Sequence, residues 1–268
     1  MGVFSMHFFV FRKNSIAFLL IFLGLFLFFL SFFSFSNNSS IVSLECNSII
    51  NDSIQDKISG LTKNKEKIAY LTFDDGPNIK STSKILDILK SEDIKATFFV
   101  LGKCVKEHPD LVMREFEEGH FIANHGYSHS NKKLYESKES FINEVINTDR
   151  AISRALGIDN YCSRVFRFPN GFMSSNYHSK KLEAAKILKD MGYVYVDWNC
   201  LNKDSEKKIS NYELLNNLKK TSKNKGTLIV LMHDTCDVND SSLVLKDSIS
   251  YLKNQGYEFR NFYDFFNN

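Results

Sequence analysis

The sequence predicts an α/β fold, a distorted (β/α)7-type barrel preceded by one N-terminal transmembrane helix. Three observations carry this reading. From Ile68 onward, short β-type runs alternate with amphipathic helical runs about seven times, as in βα units on a parallel sheet. Five of the strands have ionisable residues at their C-terminal ends, where barrels build sites. Before them, Ile16 to Phe35 reads IAFLLIFLGLFLFFLSFFSF, and about 20 such residues span a bilayer core.

The elements follow in order. Residues 1–15 form a cytoplasmic N-terminus, because Arg12 and Lys13 precede the apolar run and no charge follows it until Glu45. Residues 16–35 are then a signal-anchor, with a cleaved signal peptide as the alternative; both export the rest of the chain. Residues 36–66, rich in Asn, Ser and Lys, read as a tether, and residues 67–268 as the catalytic domain. Strands are expected at Ile68–Phe73, Ala96–Leu101, His120–Asn124, Val165–Phe168, Tyr193–Trp198, Thr227–Met232 and Tyr257–Phe259. Helices are expected at Ser81–Lys90, Pro109–Glu118, Glu139–Leu156, Lys180–Met191, Tyr212–Lys220 and Ser242–Asn254, with Gly157, Gly192 and Gly256 as stops. No Gly-rich loop follows the first strand, which argues against an open nucleotide-binding sheet.

Composition narrows the function classes. At 43% hydrophobic and 24% charged residues the chain has an ordinary globular make-up. The net charge is only +3 and the lysines are interleaved with acids, so no nucleic-acid partner is called for. The five cysteines are scattered, odd in number and without a CxxC pair, and read as buried or half-buried free thiols.

The strand ends carry the chemistry. Asp74 and Asp75 follow the first strand, His125 and His129 the third, Arg167 lies in the fourth, Asp197 and Trp198 end the fifth, and His233 ends the sixth. Each has a plain structural reading: a turn at Asp-Asp-Gly-Pro, exposed histidines, an ion-pairing arginine, a core tryptophan. Their coincidence at one end of one barrel favours a shared site. Two imidazoles and a carboxylate make an open three-ligand metal site. A second carboxylate can serve as general base, a histidine on another loop as acid, and a buried arginine can keep the base ionised. That set suits amide hydrolysis.

Thr72–Pro77 (TFDDGP), His125–His129 (HGYSH), Arg167–Gly171 (RFPNG), Asp197–Asn199 (DWN) and Leu231–Asp234 (LMHD) resemble, in order, the five motifs of the NodB-like polysaccharide deacetylases, carbohydrate esterase family 4. The resemblance runs from about Lys67 to the C-terminus. It implies the NodB-homology barrel and a divalent metal, zinc or else cobalt, on Asp75, His125 and His129. It further implies Asp74 as general base, Arg167 as its orienting partner and His233 as general acid. The N–H of Asn170, after Pro169, would face the oxyanion, and Trp198 and Leu231 would line the acetyl pocket. The chain departs from the pattern at Gly126, at Asn170, where the family has Tyr or Gly, and in the fourth motif. There Asp204 and Asp197 compete as the partner of His233, with Asp204 preferred.

The expected function is metal-dependent removal of N-acetyl groups from an extracellular glycan, peptidoglycan first. Chitin-type oligomers or an exopolysaccharide, a non-catalytic glycan-binding module and a non-sugar amidohydrolase are the alternatives. The expected location is the cell membrane, with the catalytic domain outside.

Overall fold

This computed structural model describes residues 52–266. The expected cytoplasmic segment, the transmembrane helix and the first part of the tether lie outside the described residues. Among the described residues no helix is long and apolar enough to cross a membrane.

The strands are β1 (Ile68–Asp74), β2 (Thr97–Val100), β3 (Phe121–Asn124), β4 (Val165–Phe166), β5 (Val194–Tyr195), β6 (Cys200–Leu201), β7 (Leu228–His233) and β8 (Glu258–Arg260). They form one sheet in the order β5-β4-β3-β2-β1-β7-β6, with β8 beside β1. Every pairing is parallel, as βα repetition requires. Strand β8 takes the lower half of the β1 edge, Ile68 to Tyr70, and β2 takes the upper half, Thr72 to Asp74. No pairing joins β5 to β6, so the sheet curls into an open half-barrel.

The strand expected over Tyr193–Trp198 is only two residues long. The chain then crosses to the opposite edge, where Cys200 and Leu201 pair with β7. The cause is local: the Asn199 side chain accepts from the Ile229 N–H at 2.8 Å and donates to the Thr227 carbonyl at 3.0 Å, filling the ladder position itself.

Helix α1 (Asp52–Gly60) and a short 3-10 turn (Leu61–Lys63) replace the last part of the expected tether. Ile58 and Leu61 are buried against the barrel interior, with Ile54 beside them. The spacing 54, 58, 61 is one helical face, hidden in a polar composition. Gln55 hydrogen-bonds both the N–H and the carbonyl of Tyr195, at 2.9 and 3.1 Å, and so covers the outer edge of β5.

The remaining helices are α2 (Thr82–Ser91), α3 (Gly102–Glu107), α4 (Pro109–Glu117), α5 (Asn131–Leu134), α6 (Lys138–Leu156), α7 (His178–Asp190), α8 (Asn211–Ser222) and α9 (Ser242–Asn254). Their apolar faces cover the outside of the sheet. Gly157 caps α6 with φ 64°, a left-handed conformation that glycine adopts without strain. Of the cysteines, Cys104, Cys200 and Cys236 are free thiols, whereas Cys162 is disulfide-bonded, so the expectation of free thiols fails there.

Strand alternation divides the core. On β1, Ala69, Leu71 and Phe73 face the helices, while Ile68 and Tyr70 face the barrel interior. The same parity sends Val165 of β4 and Ile229 of β7 inward, with Phe121 and Ala123 of β3. Phe262 plugs the lower end, its ring 5.5 Å from Tyr70 and 6.2 Å from Phe121 between centroids. The upper end is left for polar groups.

Candidate active site

The alternation that buries Ile68 and Tyr70 also turns Thr72 and Asp74 inward, two and four residues nearer the C-terminal end of β1. Parity likewise turns in His125 after β3, Arg167 after β4, and Leu231 and His233 on β7. With Asp204 just past β6, five strands thus bring polar groups together at one cleft of about 400 Å3. A larger hollow, about 610 Å3, lies around Arg150 and Arg154 on α6 and contains none of these groups, so size alone does not locate the chemistry.

Asp75 Oδ1 lies 3.4 Å from His125 Nε2 and 3.3 Å from His129 Nε2. That oxygen is buried and has no hydrogen-bond partner. A buried, unpartnered carboxylate oxygen between two imidazole nitrogens is costly unless something positive sits among them. The donor set fits a divalent cation: one carboxylate and two imidazoles, all within 4.8 Å of one another. His125 Nδ1 donates to the Arg167 carbonyl at 2.8 Å, which leaves Nε2 with its lone pair facing Asp75. Burial opposes ionisation of Asp75, but His125 first, then His129 and His233, hold its carboxyl well below the ordinary value.

Asp74 is 3% exposed and accepts from Arg167 Nη1 at 2.8 Å. The guanidinium is fully buried, stands 4.0 Å above the Phe99 ring, and donates to Thr72 Oγ1 at 2.7 Å and to the Val196 carbonyl at 3.2 Å. Its hydrogen bonds and its packing leave it one orientation, with the charge on Asp74.

His233 settles the competition in the fourth motif. Its Nδ1 lies 2.7 Å from Asp204 Oδ1, and its own N–H donates to Asp204 Oδ2 at 2.8 Å. Ser241 Oγ donates to the same Oδ2. Burial works to lower the His233 pKa, but the Asp204 carboxylate more than offsets it, and the imidazole is pushed up to about 9. Its Nε2 faces the metal-type group, 3.9 Å from Asp75 Oδ2. Asp197 instead accepts from the N–H groups of Phe172 and Met173, at 2.8 and 3.0 Å.

Asn170, Trp198 and Leu231 line the cleft as expected. Pro169 does not: it is buried behind the loop and shapes it. Gly171 N–H donates to the Phe168 carbonyl at 2.7 Å, Pro169 holds the second position and Asn170 the third with φ 62°. Proline second and a positive φ third mark a type II turn, and asparagine tolerates that φ. The departure at Asn170 therefore keeps the backbone geometry.

Glu144 was not singled out from the sequence. Its carboxylate accepts from the N–H groups of Tyr127 and Ser128 at 2.9 and 2.8 Å, and from Ser128 Oγ at 2.8 Å, locking the loop between the two histidines. A signal was there: Phe141, Val145, Thr148 and Ile152 are the buried face of α6, and Glu144 is an acid on that face.

The polysaccharide deacetylase family profile matches residues 62–196. A peptidoglycan-N-acetylglucosamine deacetylase of Bacillus cereus is 34% identical over 206 residues, 75% of this chain and 71% of that protein. A Listeria monocytogenes enzyme with the same descriptive name is 33% identical over 197 residues, 74% of this chain but only 38% of its own length. Among solved structures, a Streptococcus mutans esterase of carbohydrate esterase family 4 has a TM-score of 0.69 at 29% identity, covering 77% of this chain and 90% of that one. A sheet of this topology, the five-strand site and these matches agree: the chain belongs to the polysaccharide deacetylases, the NodB-like enzymes of carbohydrate esterase family 4.

Proposed function

We propose that the chain is a metal-dependent peptidoglycan N-deacetylase, acting outside the cell on N-acetylglucosamine residues. The observation that carries the reading is the buried, unpartnered Asp75 Oδ1 between His125 Nε2 and His129 Nε2, beside the Asp74–Arg167 pair. Asp75, His125 and His129 would hold the cation, and imidazole with carboxylate suits zinc, with cobalt as a substitute. A cation there would polarise the amide carbonyl and acidify the attacking water.

The protein groups do the rest. Asp74, oriented by Arg167, takes the proton of the attacking water. The Asn170 N–H donates to the oxygen on which negative charge develops. His233 Nε2 gives its proton to the departing amine, and Asp204 supports the imidazolium through Nδ1. Trp198 and Leu231 flank the acetyl methyl. The C–N bond breaks, and acetate and a free amine leave.

The names of the Bacillus cereus and Listeria monocytogenes relatives support peptidoglycan and glucosamine. The cleft lining agrees. Among the described residues Lys203 is the single lysine or arginine lining it, and its ammonium is 3.1 Å from Glu206, so none of these cations stands unpaired for the lactyl carboxylate of a muramic acid. The disulfide-bonded Cys162 supports an oxidising, extracellular location, and the apolar run over residues 16–35 supports a membrane anchor.

The test is acetate release from peptidoglycan by the full chain in detergent, with a chelator and after zinc or cobalt is restored. The reading expects release that stops on chelation, returns with metal and leaves new amines on glucosamine. Release that ignores the chelator overturns the metal. New amines confined to muramic acid or to chitin oligomers overturn the substrate. No release from any of these glycans overturns the reaction.

A further inference from the structure

We propose that Lys181 and Asp197 are positioning residues for the deacetylation, gripping the loop after Asn170 from two sides so that the Asn170 N–H stays in the cleft. The proposal rests on the reading of that N–H as the oxyanion donor.

Lys181 lies on α7, yet only 1% of it is exposed. Its ammonium donates to the Gly171 carbonyl at 2.6 Å and to Ser174 Oγ. No carboxylate is within ion-pairing distance of that ammonium among the described residues. Burial disfavours this ammonium and the Asp197 charge only partly offsets it, so its hydrogen bonds to the loop are what hold it in place. Ser174 Oγ also donates to the Gly171 carbonyl, at 3.2 Å, so two donors converge on one oxygen.

Asp197, just past β5, holds the other side. Its two carboxylate oxygens take one N–H each, from Phe172 and Met173. A cation thus fixes a carbonyl and an anion fixes the next two amides. Four consecutive residues are held by charge-assisted hydrogen bonds, which are about twice as strong as neutral ones.

The grip passes to Asn170 through the turn. Gly171 N–H closes the turn on the Phe168 carbonyl, so a rotation at Gly171 moves the Asn170 peptide with it. The packing is close: Gly171 has φ 77°, and a Cβ built there would meet Trp198 at 2.8 Å. The loop is pressed against the indole that lines the cleft. Without the ammonium the buried Gly171 carbonyl loses its charged partner, and the turn has reason to tilt.

The test uses the full chain, loaded with zinc, in three forms: Lys181→Met, Asp197→Asn and both together. The readouts are zinc stoichiometry, KM and kcat for acetate release. Both single variants should bind zinc as the parent does, keep KM within about threefold and lose kcat by about 10- to 100-fold, because an oxyanion donor acts in the transition state. The double variant should lose less than the product of the single losses, since both residues act on one loop. A purely structural role would lower zinc stoichiometry and kcat in parallel, and that overturns the proposal. So do single variants that hold zinc and keep kcat within about threefold of the parent. If Lys181→Met does not fold, Asp197→Asn decides by the same criteria, because its amide still accepts one of the two N–H groups. A parent that releases no acetate overturns the proposed function itself, a different failure from active, unaffected variants.

Discussion

Arg167 offers the sharpest test of how this site is built. The guanidinium is fully buried and Asp74 is 3% exposed. Nη1 serves Asp74 at 2.8 Å and Thr72 at 2.7 Å, and Nε serves the Val196 carbonyl. Replacing Arg167 with Met keeps much of the apolar stem over Phe99 but removes the charge. Asp74 is then a buried carboxylate without its guanidinium partner. Breaking a buried pair from one side costs about 3–5 kcal/mol. For a domain of some 200 residues each kcal/mol shifts Tm by about 2–4 °C, so Tm should fall by roughly 6–20 °C. Thermal unfolding of chelator-treated protein reads this without interference from metal. The reasoning makes a second, riskier demand. The double variant R167M/D74N should regain more than half of the lost stability, because the uncompensated charge is gone, while acetate release stays abolished. A double variant no more stable than R167M would refute the claim that Arg167 acts through the Asp74 charge.

Three further outcomes follow from the same geometry. Asp75→Ala should abolish zinc binding in a metal titration along with acetate release, and retained stoichiometric zinc would refute the ligand assignment. Asp204→Asn should weaken the support that holds the His233 pKa at about 9. Since the acid must be protonated, the alkaline limb of kcat/KM should move to lower pH by about a unit, and an unmoved limb would sink the pairing. His120 is 1% exposed at the start of β3, and its Nδ1 accepts from the Ala96 N–H at 3.0 Å. Burial, aided by Lys95, pushes its pKa down to about 4. A depressed histidine means that the unfolded chain takes up the proton first. This residue's contribution to stability is therefore full above about pH 6.5 and falls by roughly 3 kcal/mol as pH drops to 4. An NMR titration of the His120 ring should find its midpoint near 4, and a midpoint near 6.5 would refute the assignment.

Much of the fold was legible because alternation is a local property. IAYLTFD shows by period two that positions 72 and 74 share a face with 68 and 70, and the structure puts all four toward the interior. The motif residues could be placed at one end of the barrel on that basis alone. Three things were not legible. The crossing from β5 to β6 depends on the Asn199 side chain standing in for a backbone partner, and no sequence period encodes that. Helix α1 was masked because Asn, Ser and Lys dominate its surroundings, although Ile54, Ile58 and Leu61 repeat at helical spacing. The choice between Asp197 and Asp204 turned on distance in space, since the two lie close together in the chain.

The three acids outside the direct chemistry share one device. Glu144 takes two amides and a hydroxyl from the His125–His129 loop, Asp197 takes two amides from the loop after Asn170, and Asp204 takes the amide and Nδ1 of His233. Each carboxylate therefore spans one reacting loop and fixes it against the scaffold. Loops are the mobile part of a barrel, and a misplacement of about 1 Å can cost about a hundredfold in rate. A carboxylate is well suited to the task because its two oxygens accept several N–H groups at once and define a plane. The scheme also explains why these acids are hard to tell from catalytic ones in a sequence: they must lie beside the site and be largely shielded from solvent, as a base or a ligand must. What separates them is the identity of their partners. Asp74 and Asp75 point at a guanidinium and at imidazoles, groups that carry or bind charge, whereas Glu144 and Asp197 spend their oxygens on backbone amides and a hydroxyl. Asp204 stands between the two classes, with one oxygen on an amide and the other on the imidazole that delivers the proton. Its replacement should thus disturb both loop position and proton supply, which is why its pH profile, and not its rate alone, is the informative measurement.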